Sequence, residues 1–253
     1  MSDKDYIKSK PFSTLYLTIS LVAIYIVLFE YTWVTQSFLP KPSVLLDSFF
    51  SLWSEYNLFG ALGETTVIVF PVIVILVLFF EIAIKYLLSL LDRYNGILNI
   101  SAPFKYFSFF VFALLFNLIF ESSIIGEVVF AILFTFGKLI SVLNSSMRTK
   151  SAEYIDSSKS LGVSKSDIFS HVIWNNIKPY FYSHISILHS QLWIVILTYE
   201  FIGGVVGIGS IYKLAYSYND LVAIISLGIF ISLLILAVNS LIKFFVSKLI
   251  FWH

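Results

Sequence analysis

The sequence predicts an all-α polytopic membrane protein, because of its composition and of the long apolar runs that recur along it. Of the 253 residues, 58% are hydrophobic and 12% are charged, and the mean hydropathy is +0.91. A soluble domain carries roughly 25% charged residues. Water is therefore not the main solvent of this fold. In lipid the backbone must satisfy its own hydrogen bonds, which favours helices.

Six apolar runs are predicted to cross the membrane, because a helix needs about 20 residues to span the hydrocarbon. They are residues 12–31, 65–88, 106–120, 124–142, 185–201 and 221–245. Only residues 121–123 separate the short third run from the fourth, so these two are interpreted as a helical hairpin. Pro71 and Glu81 lie in the second run, and they predict a kinked helix with one face turned away from lipid.

The distribution of lysine and arginine predicts the orientation of these spans. Both residues are enriched in the cytoplasmic loops of membrane proteins. If the N-terminus is cytoplasmic, every lysine and arginine except Lys41 and Lys213 falls on or beside the cytoplasmic side. The pattern fits one transmembrane domain, residues 1–253, with both termini in the cytoplasm. The first run is longer than the apolar part of a signal peptide, and we interpret it as a retained anchor.

The chain carries few groups that could perform chemistry. It has no cysteine, which excludes disulfides, thiolate metal sites and cysteine nucleophiles. His184 and His189 lie about 140° apart on a helix, which disfavours a shared metal ion. Gly137-Lys138 is followed by Leu139, so the chain lacks a phosphate-binding loop, and ATP hydrolysis is not expected in it. No catalytic residue, metal or cofactor is predicted.

Two functional classes stay open as alternatives: an ion-driven secondary carrier and an intramembrane enzyme. An ion-driven secondary carrier commonly shows repeated halves, and we find no internal repeat. An intramembrane enzyme needs catalytic groups that converge within the bilayer, and we find no Ser/His or His/Asp arrangement at a usable spacing. The net charge of +1 gives no indication of a nucleic-acid partner.

The longest polar and basic segment, residues 144–180, connects the fourth and fifth predicted spans. Ser151 can cap a short helix, and Leu161-Gly162 can end it, since glycine readily adopts the left-handed conformation after a helix. Ser164 and Asp167 have the spacing of a capping box at the start of a second helix. The segment therefore predicts two short amphipathic helices hinged at Gly162. A simpler interpretation is a pair of helices that lie in the membrane interface.

Three parts of the sequence resemble binding-protein-dependent ABC transporter permeases. The cytoplasmic "EAA" loop of that family is similar to Asp156-Ser157-Ser158-Lys159-Ser160-Leu161-Gly162, followed by Ile168-Phe169, Val172-Ile173 and Lys178-Pro179. The family's loop starts Glu-Ala-Ala, and its glycine follows six positions after the Glu, as Gly162 follows Asp156 here. Segments 39–45 and 200–209 resemble the nitrate, sulfonate, taurine and bicarbonate branch of this family.

The resemblance implies the membrane-spanning subunit of an importer in the bacterial inner (plasma) membrane. Its implied partners are cytoplasmic ABC ATPase subunits that bind ATP and magnesium, a second permease chain (identical or paralogous), an external solute-binding protein and membrane lipid. The segment 144–180 would dock in a groove of the ATPase. Gly162 would allow the bend, and the contacts would come from apolar Ile168, Phe169, Val172 and Ile173 and from polar Asp156, Lys159 and Lys165.

Glu200 and the glycines after it are the candidate residues for the pathway or its gate. Gly203, Gly204, Gly207 and Gly209 interrupt an apolar run, which predicts either a broken helix along the pathway or an ordinary outer loop. Glu200 is expected either to bind backbone amides of this turn or to act in gating. Glu81 is expected to pair with Lys85 one helical turn away, and Glu127 to lie at the outer interface.

Overall fold

A computed structural model describes residues 10–32, 40–93, 109–150, 158, 162, 164 and 167–249, and the described part is helical with no strand. In chain order the helices are α1 (Lys10–Ile26, continued by a π-helical turn Val27–Thr32), α2 (Pro42–Ser54), α3 (Leu58–Arg93), α4 (Phe109–Ile119), α5 (Ile124–Lys150), α6 (Trp174–Ser183, preceded by a π-helical turn Ile168–Ile173), α7 (Ile185–Gly203), α8 (Ile208–Ser217) and α9 (Leu221–Leu249). The prediction of an all-α membrane protein is confirmed at this level.

Four helices of the described part are long and apolar enough to cross a membrane. They contain Leu58–Ile84, Ile124–Ser146, Ile185–Gly203 and Leu221–Lys248, and they correspond to the second, fourth, fifth and sixth predicted spans. The other two predicted spans correspond to shorter apolar helices, Ile19–Tyr31 and Phe109–Ile119. Six spans with cytoplasmic termini stays a prediction, since residues 1–9, 94–108 and 250–253 lie outside the described part.

Local sequence explains where several helices begin and end. Pro42 occupies the first turn of α2, where its missing N–H is not needed. Asp220 precedes α9, and its Oδ1 accepts the N–H of Ala223 at 2.9 Å, as a capping residue does. Pro71 lies inside the 36-residue helix α3, which continues through it although proline donates no backbone hydrogen bond. Ser123 caps α5 by accepting the N–H of Gly126 at 3.2 Å.

The chain divides into two compact units. Unit 1 comprises Met1–Asn57 and Ala215–Ile229, and unit 2 comprises Leu58–Leu214 and Phe230–His253. Within unit 1, the Tyr25 hydroxyl donates to the carbonyl of Pro40 at 2.5 Å, and the Ser226 hydroxyl donates to the carbonyl of Leu45 at 3.2 Å. The prediction of a single transmembrane domain is not tested by this division.

Helix α7 lies at the centre of unit 2 and contacts α3, α4 and α5. Over half of its membrane-spanning stretch, 56%, is buried in the chain, against 33% for α3. Its fully buried side chains include Trp193, Tyr199 and Glu200. Helices α4 and α5 form the predicted hairpin, and Glu121 and Ser122 turn the chain between them with φ of +50° and +55°. A buried central helix that carries a carboxylate is the setting of the candidate site.

Candidate functional site

The glycine-rich segment is a short break between two helices. Helix α7 ends at Gly203, and Gly204 adopts the left-handed conformation with φ of +69°. The Gly204 N–H still donates to the Glu200 carbonyl at 2.8 Å, and α8 begins four residues later at Ile208. The structure shows that the helix is interrupted at residues 204–207. That this break lines a solute pathway stays a prediction.

Glu200 binds the start of α8. Its side chain is fully buried in the last turn of α7. Oε2 accepts the N–H of Gly209 at 2.6 Å, and Oε1 accepts the hydroxyl of Thr65 at 2.7 Å. The same Thr65 oxygen accepts the N–H of Ile208 at 3.0 Å. The first N–H groups of a helix have no partner within it and attract negative charge, so Glu200 and Thr65 complete the N-terminus of α8. The expected binding of backbone amides by Glu200 is observed.

The glycines around Glu200 are required by close packing. A Cβ atom on Gly207 would collide with the Glu200 carboxylate, and a Cβ atom on Gly209 would lie 2.7 Å from the backbone nitrogen of Phe201. A Cβ atom on Gly203 would collide with the side chain of Asn117. Because backbone atoms cannot move aside as a flexible side chain can, the start of α8 can approach α7 only where it has no side chain. The structure thus brings Glu200 and the predicted glycines together.

Glu127 joins this cluster, which the sequence did not predict. It lies in the first turn of α5 and is fully buried within the chain, and its expected position at the outer membrane interface stays a prediction. A Cβ atom on the preceding residue, Gly126, would collide with the Tyr199 hydroxyl, so the start of α5 packs against the end of α7 and Glu127 lies beside Glu200. Neither Glu127 oxygen receives an N–H or O–H donor from the described residues. Glu127 and Glu200 are 73 positions apart in the sequence, so only the packing of α5 on α7 reveals the pair.

Asn117 holds α4 against α7 beside this pair. Its Nδ2 donates to the carbonyl of Ala113 at 3.0 Å and to that of Tyr199 at 3.4 Å. Its Oδ1 is buried and receives no donor from the described residues. The Tyr199 hydroxyl points to the carbonyl of Ser123 at 3.5 Å, at the start of α5. Polar groups from α4, α5 and α7 therefore meet at one end of the bundle.

The segment between α5 and α7 makes the predicted turn at Gly162. Gly162 has φ of +73°, and a Cβ atom there would meet no atom within 4 Å, so its conformation alone favours glycine. The Ser164 hydroxyl accepts the N–H of Asp167 at 3.2 Å and lies 2.6 Å from its Oδ2, as predicted for a helix start. Asp156, Lys159 and Lys165 lie outside the described residues.

The apolar side chains after Gly162 do not form a free docking surface. Ile168, Phe169 and Ile173 are 1–3% exposed, and the turn that carries them packs on α3 and continues into α6. Val172 is half-buried. The expectation that these four side chains contact an ATPase is corrected for the three buried ones, since the chain itself covers them. Helical periodicity identified a shared face, but it could not show what covers that face.

The exposed face of this segment is polar. Asp167, His171 and Asn175 are exposed and follow one another at four-residue spacing, and Gly162 and Ser164 are exposed before them. A residue and the fourth residue after it lie on the same face of a helix, so the three side chains form one stripe. We call Asp167, His171 and Asn175 the polar stripe. The polar contacts predicted from the sequence were instead Asp156, Lys159 and Lys165.

Glu81 pairs with another helix. Its Oε1 lies 3.2 Å from Nζ of Lys178 on α6, and the Tyr182 hydroxyl donates to the same carboxylate. Burial, together with the hydrogen bond and charge of Glu81, raises the pKa of Tyr182 above its ordinary value. The expected partner within the helix, Lys85, has a side chain outside the described part. Glu81 thus connects α3 to the helix that follows the polar stripe.

His189 takes part in a buried polar network that joins α7 to α9. Its Nε2 accepts the indole N–H of Trp193 at 2.9 Å, so its Nδ1 carries the proton and donates to Oδ1 of Asn239 at 2.9 Å. Asn239 donates in turn to the Ser190 hydroxyl at 2.7 Å. Both ring nitrogens are engaged. Within the described part of the chain, no group of three or more His, Asp or Glu side chains is placed to hold a metal ion.

Comparison with known proteins identifies no relative of this chain. No protein-family model matches it, and neither does a curated protein or a solved structure. Its function therefore has to be argued from the geometry described above.

Proposed function

We propose that this chain is the transmembrane subunit of an ABC importer in the bacterial inner membrane. It forms half of a solute pathway and receives the motion of a cytoplasmic ATPase. The observation that carries the proposal is the turn at Gly162 with its left-handed φ, followed by the capped helix start at Ser164 and Asp167. This turn lies in the polar connection between two long apolar helices, α5 and α7, where an importer subunit contacts its motor.

A coupling segment has to be accessible to its motor and firmly attached to the spans that it moves. The polar stripe of Asp167, His171 and Asn175 supplies the accessible face. Ile168 and Phe169, buried on the other side, attach the same turn to α3 and α6. Because tightly packed side chains move together rather than deform, a displacement of the polar stripe also displaces the helices packed against it.

Two polar contacts strengthen this attachment. Glu81 on α3 holds both Lys178 and Tyr182 of α6, and Nζ of Lys178 also lies 5.8 Å above the Trp174 ring. A cation over an aromatic ring adds further attraction. Helix α6 leads directly into α7, so a motion received at the polar stripe reaches the helix that carries Glu200. We call Glu200, Thr65, Glu127 and the four glycines after Glu200 the Glu200 cluster.

The Glu200 cluster is proposed as the moving part of the pathway. A helix break whose ends are held by one carboxylate and one threonine can separate or close without the melting of either helix. The partners are two ATPase copies that bind ATP and magnesium, a second permease chain and an external solute-binding protein. The lack of a phosphate-binding loop in the sequence supports a separate motor.

Co-purification with matched variants of Gly162 tests the docking. The tagged full chain is purified from native membranes in mild detergent, and its partners are identified by mass spectrometry and assayed for ATP hydrolysis. Gly162→Val cannot adopt the left-handed turn easily, whereas Gly162→Asn tolerates it, and neither side chain meets an obstacle. We expect an ATPase with the original chain and with Gly162→Asn, and its loss with Gly162→Val.

Purification of every form alone, without a nucleotide-hydrolysing partner, would contradict the proposal. The second candidate function is then an ion-driven carrier, which the buried carboxyl pair of Glu127 and Glu200 favours, since ionisable groups inside the membrane mark ion pathways. Transport into vesicles driven by an ion gradient in the absence of ATP would distinguish this carrier from an importer subunit.

A further inference from the structure

The carboxyl groups of Glu127 and Glu200 share an enclosed site with an incomplete set of hydrogen bonds. Both residues are 0% exposed, and they are neighbours where the start of α5 packs against the end of α7, with Gly126 against the Tyr199 hydroxyl. Each Glu200 oxygen accepts a hydrogen bond, one from the N–H of Gly209 and one from the hydroxyl of Thr65. Glu127 receives no N–H or O–H donor from the described residues at either oxygen. A buried polar group without a hydrogen-bond partner is costly, so the Glu127 carboxyl group needs a partner that compensates for its burial.

One proton shared between the two carboxyl groups gives Glu127 a hydrogen bond. Two adjacent buried carboxylates would repel each other, and neither would have water to disperse its charge. A protonated Glu127 instead donates an O–H to Glu200 and satisfies its own polar group in the same bond. Glu200 is the carboxylate of the pair because it already accepts two hydrogen bonds, which a negative oxygen accepts best.

The groups around the pair favour a proton as its ligand. Glu64, exposed on α3, is a third carboxylate near Glu127, and the Tyr199 hydroxyl on α7 lies nearby. Lys213 on α8 donates from Nζ to the carbonyl of Ile202 at 3.1 Å, at the outer side of the helix break. The site thus has negative charge around it, and within the described part of the chain no group of three or more histidine or acidic side chains is placed to hold a metal ion.

We propose that Glu127 and Glu200 form a proton-binding site in the transmembrane part of the chain, with the proton on Glu127 and donated to Glu200. Loss of this proton places two like charges beside the break at residues 204–207 and separates α5 from the end of α7. The site thereby links proton occupancy to the closure of the break. This inference does not depend on the ATPase partner, because it concerns groups within this chain alone.

Infrared spectroscopy of the full chain in lipid nanodiscs tests the site directly. A protonated buried carboxyl group gives a carboxylic C=O stretching band that an ionised one lacks. We expect this band at neutral pH in the original chain and its loss in Glu127→Gln, whose amide can donate to Glu200 without a titratable proton. Glu64→Gln is the matched control, since it removes the exposed neighbouring charge and should keep the band.

Three outcomes would overturn the proposal. These are the absence of the band from the original chain at neutral pH, its persistence in Glu127→Gln, and its disappearance when sodium chloride replaces choline chloride, which would show a metal cation in place of the proton. Circular dichroism and gel filtration establish that each variant folds. If Glu127→Gln does not fold, the proposal is tested by the original chain alone: the band must be present at neutral pH and must persist in sodium chloride. The band can be assigned to this pair because Glu127 and Glu200 are the fully buried acidic residues of the described part.

Discussion

Nζ of Lys178 lies 3.2 Å from Oε1 of Glu81, and this ion pair fastens the helix after the polar stripe to α3. Both side chains are partly exposed, at 29% and 27%, so the pair is screened by solvent and is a weak contributor to stability. In the proposed importer, its position between the docking face and α3 gives it a role in transmitting motion rather than in stability.

Removal of this ion pair should uncouple the chain with little loss of stability. We expect Lys178→Met and Glu81→Gln to reduce transport per ATP hydrolysed, while the ATPase still co-purifies. A double-mutant cycle in thermal unfolding should give a coupling free energy of about 0.5–1 kcal/mol. Tyr182→Phe, which removes only the hydroxyl that donates to Glu81, is the milder control. Unchanged coupling in both charge variants would remove the pair from the proposed path.

An alanine at Gly209 should disturb the joint between α7 and α8. Its Cβ atom would lie 2.7 Å from the backbone nitrogen of Phe201, so the helices must move apart. We expect Gly209→Ala to lower the free energy of unfolding by about 1–3 kcal/mol, as overpacking does. Gly137→Ala is the matched control, because a Cβ atom on Gly137 in α5 meets nothing within 4 Å. That control should be neutral or stabilising, since alanine favours a helix. Equal effects of the two variants would contradict the packing described here.

The buried network around His189 should respond to the loss of its acceptor. Asn239→Leu leaves the Nδ1–H of His189 without its partner at 2.9 Å, and the Ser190 hydroxyl loses a donor. We expect a loss of about 1 kcal/mol in unfolding free energy, typical of hydrogen bonds between membrane helices. Ser247→Ala on the same helix is the control, because its hydroxyl is exposed and bonds only locally to the carbonyl of Phe244. A variant Asn239→Leu as stable as the control would show that the network contributes nothing.

Tyr56 should ionise at unusually high pH. Burial and the hydrogen bond to Asp220, at 2.9 Å, raise the pKa of Tyr56 to about 12 from 10.0. Since the folded pKa lies above the unfolded one, the stabilisation by the neutral hydroxyl is complete below about pH 10 and is lost as the pH rises through about 12. Ultraviolet difference titration against Tyr56→Phe measures this ionisation.

The control for Tyr56 is Asp220→Asn. Asparagine still caps α9, so the helix start is preserved, but the negative charge beside Tyr56 is gone. The pKa of Tyr56 should therefore fall toward its ordinary value in this variant. A titration identical to that of the original chain would show that Asp220 does not act on Tyr56.

Local sequence was sufficient to predict the main spans and the turn at Gly162, and it indicated an interruption of the helix after Glu200 without distinguishing a broken helix from an outer loop. The spans follow from unbroken hydropathy, and Glu200 and its glycines lie within ten positions of one another, so their proximity needs no tertiary information. The Ser164 and Asp167 helix start is likewise a matter of spacing along three residues.

Contacts between distant parts of the chain could not be predicted from one sequence. The burial of Glu127 beside Glu200 was not predicted because it depends on the packing of α5 on α7, and Glu81 was expected to pair within its own helix because Lys178 is 97 positions away. The burial of Ile168 and Phe169 within the chain was not predicted for the same reason. An apolar stripe shows that a face must be covered, but either a partner or the chain itself can cover it.

The completion of α8 by Thr65 and Glu200 has a consequence for biosynthesis. Ile208 and Gly209 donate their backbone N–H groups to side chains from α3 and α7, and Thr65 leaves the ribosome well before Glu200 and α8 do. Helix α8 can therefore start in its final form only after α7 has inserted beside α3. In a nascent chain halted before α7, Thr65 has neither Glu200 nor Ile208 as a hydrogen-bond partner. These contacts therefore form late, after α3 and α7 have assembled.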